Sequence, residues 1–343
     1  STIFLLARQL GAHNYGQVVA VIAMASFLVP VAGLGLSHIV LRNASRDPTH
    51  EPVYFARALH WWWRTLLPSV AAAIAVAIML LPNTLVLVAM CTAIASEIAA
   101  TSMTELRARH RQAQHRMHAF GAINAGLPLC RLLAVGLLLL LNHTPTASAV
   151  LWVYATSGLL YLAFLWRAVP SNTRLAQTSA PETMTTTSGL PFSLAVLAAK
   201  LQAEFNKPIL AQVSFGLAGS YNVAQRVVDM ASLPLLAMQE ALWPHLYAQP
   251  NPMRQLRRTG LALMGLALIL GAVMWLAAPL LPTVLGGSFA DAVNVLRMLA
   301  WLPLLQMFRA LLNFHAIHHS RMQRIGWASA LGALVSVVGV AIL

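Results

Sequence analysis

The stretch Leu85-Val-Leu-Val-Ala-Met-Cys-Thr-Ala-Ile-Ala-Ser-Glu97-Ile-Ala-Ala-Thr-Ser-Met-Thr-Glu-Leu106 runs straight into Arg107-Ala-Arg109-His-Arg111-Gln-Ala-Gln-His-Arg116. It is a mostly apolar run of the length that spans a bilayer, about 20 residues, and it ends in a cluster of arginines. Outward from it the same alternation recurs. Fourteen of the 22 Arg and Lys residues fall in every second gap between apolar runs: Arg42, Arg46 and Arg57; Arg107, Arg109, Arg111 and Arg116; Arg167 and Arg174; Arg254, Arg257 and Arg258; Arg321 and Arg324. The intervening gaps hold only Arg8. Basic segments resist translocation, so the rich gaps are expected to face the cytoplasm and the poor gaps the outside. The fold class that follows is an all-α polytopic membrane protein with a single orientation.

Composition agrees. The chain is 59% hydrophobic and 9% charged, with mean hydropathy +0.70, whereas a soluble domain is about half apolar and about a quarter charged. Its sequence pI of 11.2 would point to nucleic acid in a soluble protein. Here the basic excess is explained by topology, and no nucleic-acid partner is expected. Cys91 and Cys130 lie within apolar runs and show no metal-ligand spacing.

Apolar runs of spanning length occur at about 18–40, 58–81, 85–106, 119–141, 148–166, 191–215, 221–243, 259–279, 293–313 and 326–343. Residues 1–6 read as the tail of an earlier span, ahead of a turn-like Gly11 to Gly16 stretch, which gives about eleven spans with both termini cut short. His60-Trp61-Trp62-Trp63-Arg64, Trp166, Trp243 and Trp327 fall at expected cytoplasmic ends, where a ring sits half in lipid and half in water. Outer loops such as Pro82-Asn83-Thr84 and Gly216 to Ser220 are very short, so the chemistry belongs within the bilayer.

The one long polar stretch, residues 167–190, is rich in Ser, Thr, Pro and Gly and reads as a cytoplasmic linker. It separates an N-terminal transmembrane lobe, residues 1–166, from a C-terminal lobe, residues 191–343. Tyr15 and Met24-Ala25-Ser26 recur as Tyr221 and Met230-Ala231-Ser232, an offset of 206 residues. Six spans per repeat preserve orientation, so the expected architecture is two six-helix lobes in parallel pseudo-repeat, with a central site between them.

Ala7-Arg8-Gln9-Leu10-Gly11-Ala12-His13-Asn14-Tyr15-Gly16-Gln17, leading into Gly33-Leu34-Gly35, resembles the opening motif of O-antigen-type polysaccharide flippases. Gly219-Ser220-Tyr221-Asn222-Val223-Ala224-Gln225-Arg226 is similar to that family's G-x-Y-x-x-A-x-R motif at the eighth helix, and Trp243-Pro244 resembles the end of that helix. Ala278-Pro279 with Leu285 to Ala292 resembles its outer-loop motif before the tenth. The order covers nearly the whole chain and points to the multidrug, oligosaccharidyl-lipid and polysaccharide exporter superfamily. In one respect the chain departs from the pattern: Asn206, not an acidic residue, precedes Lys207, which leaves Glu204 as the nearest substitute.

The resemblance implies an inner-membrane protein of bacteria that flips a polyprenyl-diphosphate-linked oligosaccharide to the outer leaflet for surface polysaccharide assembly. It needs no cofactor. Its partners would be that anionic lipid-linked sugar, the membrane lipids and a coupling ion, H+ or Na+. Alternatives within the superfamily are a drug or cation exporter and a peptidoglycan-precursor flippase. A membrane glycosyl-lipid polymerase or ligase is a third reading, disfavoured because the outer gaps are too short to hold an acceptor. The sequence holds no nucleophile elbow, phosphate loop or zinc-protease motif, so it supports neither an enzyme nor a nucleotide-driven pump.

Arg64, Arg131, Lys200, Lys207, Arg226, Arg297 and Arg309 lie inside apolar runs, against the carboxylates Glu97, Glu204, Asp229 and Glu240. A charge at the bilayer centre costs about 2.5–3.5 kcal/mol or more, so each needs a partner or a wet cavity. The excess of cations favours an anionic passenger. Candidate substrate-binding residues are Arg131, Lys200, Lys207 and Arg226; candidate ion-coupling residues are Glu97, Glu204 and Asp229. Lys200, Glu204 and Lys207 fall on one helix face, Arg226 and Asp229 lie three apart, and Glu97 and Arg131 sit at similar depth in adjacent spans. Scaffold ion pairing is the alternative reading of each set. Arg64, Arg297 and Arg309, near span ends, are expected to snorkel to the headgroups. His315, His318 and His319 carry no accompanying Cys or carboxylate, and no metal is expected.

Overall fold

The structure, a computed structural model, describes residues 2–82, 86–141, 145–167, 193, 196–197, 200, 203–247 and 252–318. The linker, the span expected at 326–343, the Arg321 and Arg324 gap and the side chains of Glu240, Trp243, His315 and His318 lie outside that description. Among the described residues every regular element is helical. The main helices are α1 (Thr2–Leu28), α2 (Leu36–Arg46), α3 (Glu51–Leu80), α4 (Leu87–Ala113), α5 (Met117–Leu141), α6 (Ala147–Arg167), α7 (Asn206–Val213), α8 (Phe215–Tyr247), α9 (Pro252–Ala277), α10 (Leu280–Leu285), α11 (Asp291–Leu299) and α12 (Leu302–His318). Among the described residues, six stretches are long and apolar enough to cross a membrane: 48–80, 87–113, 117–141, 147–167, 258–277 and 291–312. With every N–H and C=O of a spanning segment bonded inside its own helix, helices are what a bilayer accepts from such a chain. The protein is an all-α polytopic membrane protein.

Contacts divide the chain into two compact units, one of residues 17–213 and one of residues 3–16 with 214 onward. In the first, α4 is the hub, packing against α2, α3, α5 and α6. Its buried face is built of small residues, Ala89, Ala93, Ser96, Ala99, Ala100 and Ser102, which let helix backbones close up where lipid supplies no hydrophobic drive. Ser96 Oγ donates to the carbonyl of Ala155 on α6 at 2.8 Å. In the second unit, α8 packs on α9 and α11, and α9 on α12. Its core is Ala224, Val228, Met274, Ala278, Leu296 and Ala300.

The structure corrects four expectations. The run at 18–40 is not one helix. It ends at Leu28, and residues 29–35 form a turn in which Gly33, Leu34 and Gly35 have φ of 91°, 50° and 66°. Pro30 cannot continue the hydrogen-bond ladder and the glycines accept left-handed φ without a Cβ clash. The Gly33 N–H is taken up by Thr65 Oγ1 at 2.8 Å. The turn expected over Gly11 to Gly16 shrinks to Gly11 alone, at φ 69° and ψ 169°. Gly216 to Ser220 is helical, the first turn of α8. Trp62 is not half in lipid and half in water but faces the bundle interior: it is 1% exposed, and its Nε1 donates to Ser102 Oγ at 2.8 Å, because an indole N–H buried in a bundle must find an acceptor.

Candidate functional site

Three of the expected charge sets come together. Glu97, about 15 Å along α4 from its first residue at 1.5 Å per residue, receives Arg131 of α5 in a two-point contact, 2.5 Å to Oε2 and 3.3 Å to Oε1. Only 7% of the carboxylate side chain and 15% of the arginine's are exposed. Thr101 donates a further hydrogen bond to Glu97 Oε1 at 3.0 Å, and the guanidinium lies 5.2 Å from the ring centroid of Tyr154 on α6. The small residues of α4 are what let α5 and α6 bring these groups so close.

Lys207 is buried, and its Nζ meets Glu204 Oε2 at 2.5 Å. Asn206 to Val213 resumes the helix just past Phe205, which sits in a turn. The expected triad is thus a pair, since Lys200 is exposed and forms no ion pair among the described residues.

Arg226 and Asp229 form the third set, and it is of another kind. Arg226 lies about 17 Å from the start of α8 by helical rise, inside the apolar run at about 221–243. Its Nη1 is 4.0 Å from Asp229 Oδ2, and the two side chains are 42% and 44% exposed. Half-exposed charges at that depth cannot be turned to lipid without the full insertion cost. Among the other cations, the Arg64 guanidinium rests 5.3 Å from the Trp61 ring centroid and that of Arg297 4.8 Å from the Trp275 ring centroid, so both charged groups lie over aromatic faces.

One polar cluster escaped the sequence reading. Glu105, at the end of the apolar run 85–106 on α4, accepts a hydrogen bond from Ser37 Oγ at 3.2 Å and lies 3.4 Å from His38 Nε2. These groups line a cavity at the 29–35 turn together with Pro30, Gly33, Trp62 and Ser102. The available signals were Pro30, the Gly33-Leu34-Gly35 pattern and a carboxylate adjacent to an arginine cluster.

No family model matches the chain, and no curated protein matches it by sequence. A solved structure described as the inward-facing conformation of a multidrug resistance MATE family transporter of the MOP superfamily superposes on it with a TM-score of 0.67. That likeness covers 98% of this chain and 84% of the other at 13% identity. The chain therefore has the fold of a MATE-type membrane transporter.

Proposed function

We propose that the protein is a transporter of this fold that flips a polyprenyl-diphosphate-linked oligosaccharide from the cytoplasmic to the outer leaflet of a bacterial inner membrane, for surface polysaccharide assembly. The observation that carries the reading is the open pair on α8: Arg226 and Asp229, each about two-fifths exposed within an apolar run. Such a pair needs a wet chamber, and a guanidinium in one is suited to a diphosphate, which it grips through two parallel hydrogen bonds. Lys200, exposed on an apolar segment, is a further candidate cation for an anionic passenger.

The closed pairs take the coupling role. With Glu97 and Glu204 ionised, Arg131 and Lys207 are held by their own carboxylates. Protonating either carboxylate, or replacing its charge partner with sodium, releases the cation toward an anionic passenger. Uptake and release of the ion then bias two conformations by differential affinity. Two six-helix lobes, residues 1–166 and 191–343 joined by the 167–190 linker, would expose the chamber alternately to each side.

The second reading is an exporter of drugs, supported by the described activity of the similarly folded transporter. An exporter of cationic drugs wants surplus carboxylates in its chamber, whereas the intramembrane charges here are mainly basic. Deletion of the gene decides between them. The flippase reading predicts lipid-linked repeat units trapped in the inner leaflet and surface glycan lost; normal glycan with raised drug sensitivity supports the exporter.

A further inference from the structure

Helices α3 and α6 each carry a tryptophan followed directly by an arginine, Trp63-Arg64 and Trp166-Arg167. Packing brings the two dipeptides to one place. The Trp63 and Trp166 rings meet edge to face, with centroids 5.2 Å apart and planes at 77°. Trp63 is also edge-on to Trp62 at 4.9 Å, and Trp62 is the buried indole held by Ser102. The three rings form a row from the bundle interior to its surface, where Trp63 is 49% and Trp166 36% exposed. Arg64 and Arg167 are exposed beside them.

The ring contact sets Trp63 and Arg64 level with the last turn of α6, which adjoins the Arg167 and Arg174 gap expected to face the cytoplasm. Below that level the surface is apolar. Leu67, four residues on along α3, is 74% exposed, and Leu159, seven residues back along α6, is 51% exposed; each shares a helix face with its tryptophan. The patch itself selects an occupant. Arginine and tryptophan side chains carry hydrogen-bond donors and no acceptor, and among the described residues no carboxylate pairs with Arg64 or Arg167. Such a patch suits an acceptor-rich anion with an apolar tail. A lipid phosphate has both parts: its oxygens meet the guanidinium groups, and the indoles lie where one edge is wet and the ring rests against acyl chains. A zwitterionic headgroup adds an ammonium that the two arginines repel.

We infer that the face formed by Trp63-Arg64 and Trp166-Arg167 is a binding site for an anionic phospholipid of the cytoplasmic leaflet, with its headgroup on the two arginines and its acyl chains along Leu67 and Leu159. The site lies wholly within the unit of residues 17–213. It does not depend on what the protein carries.

The test places a bimane label on Leu67→Cys in the full chain, with Cys91 and Cys130 replaced by Ala, in phosphatidylcholine vesicles. A nitroxide on an acyl chain quenches bimane when that lipid sits beside it. Nitroxide-labelled phosphatidylglycerol should occupy the site at least about fivefold more readily than nitroxide-labelled phosphatidylcholine, the gain expected from one arginine at the headgroups. The same label on Leu140→Cys, 80% exposed at the far end of α5, should show no such preference. Arg64→Gln combined with Arg167→Gln should abolish the preference at Leu67→Cys. Arg42→Gln, which removes an exposed arginine outside the patch, should leave it unchanged. If the double variant fails to reach the membrane, the comparison of Leu67→Cys with Leu140→Cys on the native arginines decides alone. Equal preference at the two labels overturns the site, as does a preference at Leu67→Cys that survives loss of both arginines.

Discussion

Glu97–Arg131 and Arg226–Asp229 are both acid–base pairs at similar depth along long helices, yet one is shut and the other open. The first is bidentate, buried and backed by Thr101 and Tyr154. The second touches at 4.0 Å and leaves both side chains more than 40% exposed. The difference comes from their neighbours. Glu97 rises from the small-residue face of the hub helix α4, where α5 and α6 close over it. Arg226 stands on α8 beside a core that covers Ala224 and Val228 but not the charged face. Intramembrane charge alone therefore does not define a binding site.

The largest effect that would break this contrast lies in the closed pair. Glu97→Leu strands Arg131 in a buried site and should cost about 3–5 kcal/mol, read as lost membrane abundance and a lower unfolding midpoint in detergent. The double change Glu97→Leu with Arg131→Leu should recover the abundance, since paired removal of buried charges is nearly neutral. It should not recover export, if the pair carries coupling as well as structure. Lys207→Met is expected to sit in between, because Glu204 keeps 16% exposure and is partly hydrated once alone. The smallest stability effect belongs to the open pair: Arg226→Ala should change the unfolding midpoint by less than about 1 kcal/mol equivalent, as an exposed ion pair contributes little. An Arg226→Ala variant that unfolds as readily as Glu97→Leu would erase the distinction.

Much of the helical frame was legible from hydropathy and the arginine count, because apolar runs of spanning length leave the backbone no other way to satisfy its hydrogen bonds. The runs at 119–141 and 148–166 match α5 and α6 to within a residue or two. What escaped was set by single residues inside apolar stretches. Pro30, Gly33 and Gly35 cut the 18–40 run in two, and the Ser193 hydroxyl caps the break by donating to the Pro30 carbonyl at 2.7 Å, a contact between distant positions that no local pattern announces. The candidate charges were legible as residues but not as partners. Spacing of three or four drew attention to Lys207–Glu204 and Arg226–Asp229, yet only packing decides that the one is buried and the other exposed. Glu105 was passed over because it sits where an apolar run gives way to arginines and looks like part of the charged gap.

The central claim is that the open pair on α8 faces a wet chamber and holds an anionic passenger. Its most direct test is flipping of a polyprenyl-diphosphate-linked oligosaccharide in vesicles reconstituted with equal amounts of native protein and Arg226→Ala. Loss of a charge-assisted contact of about 1.5–3 kcal/mol predicts a fall in flipping of about tenfold or more. Equal rates for the two proteins would contradict the account.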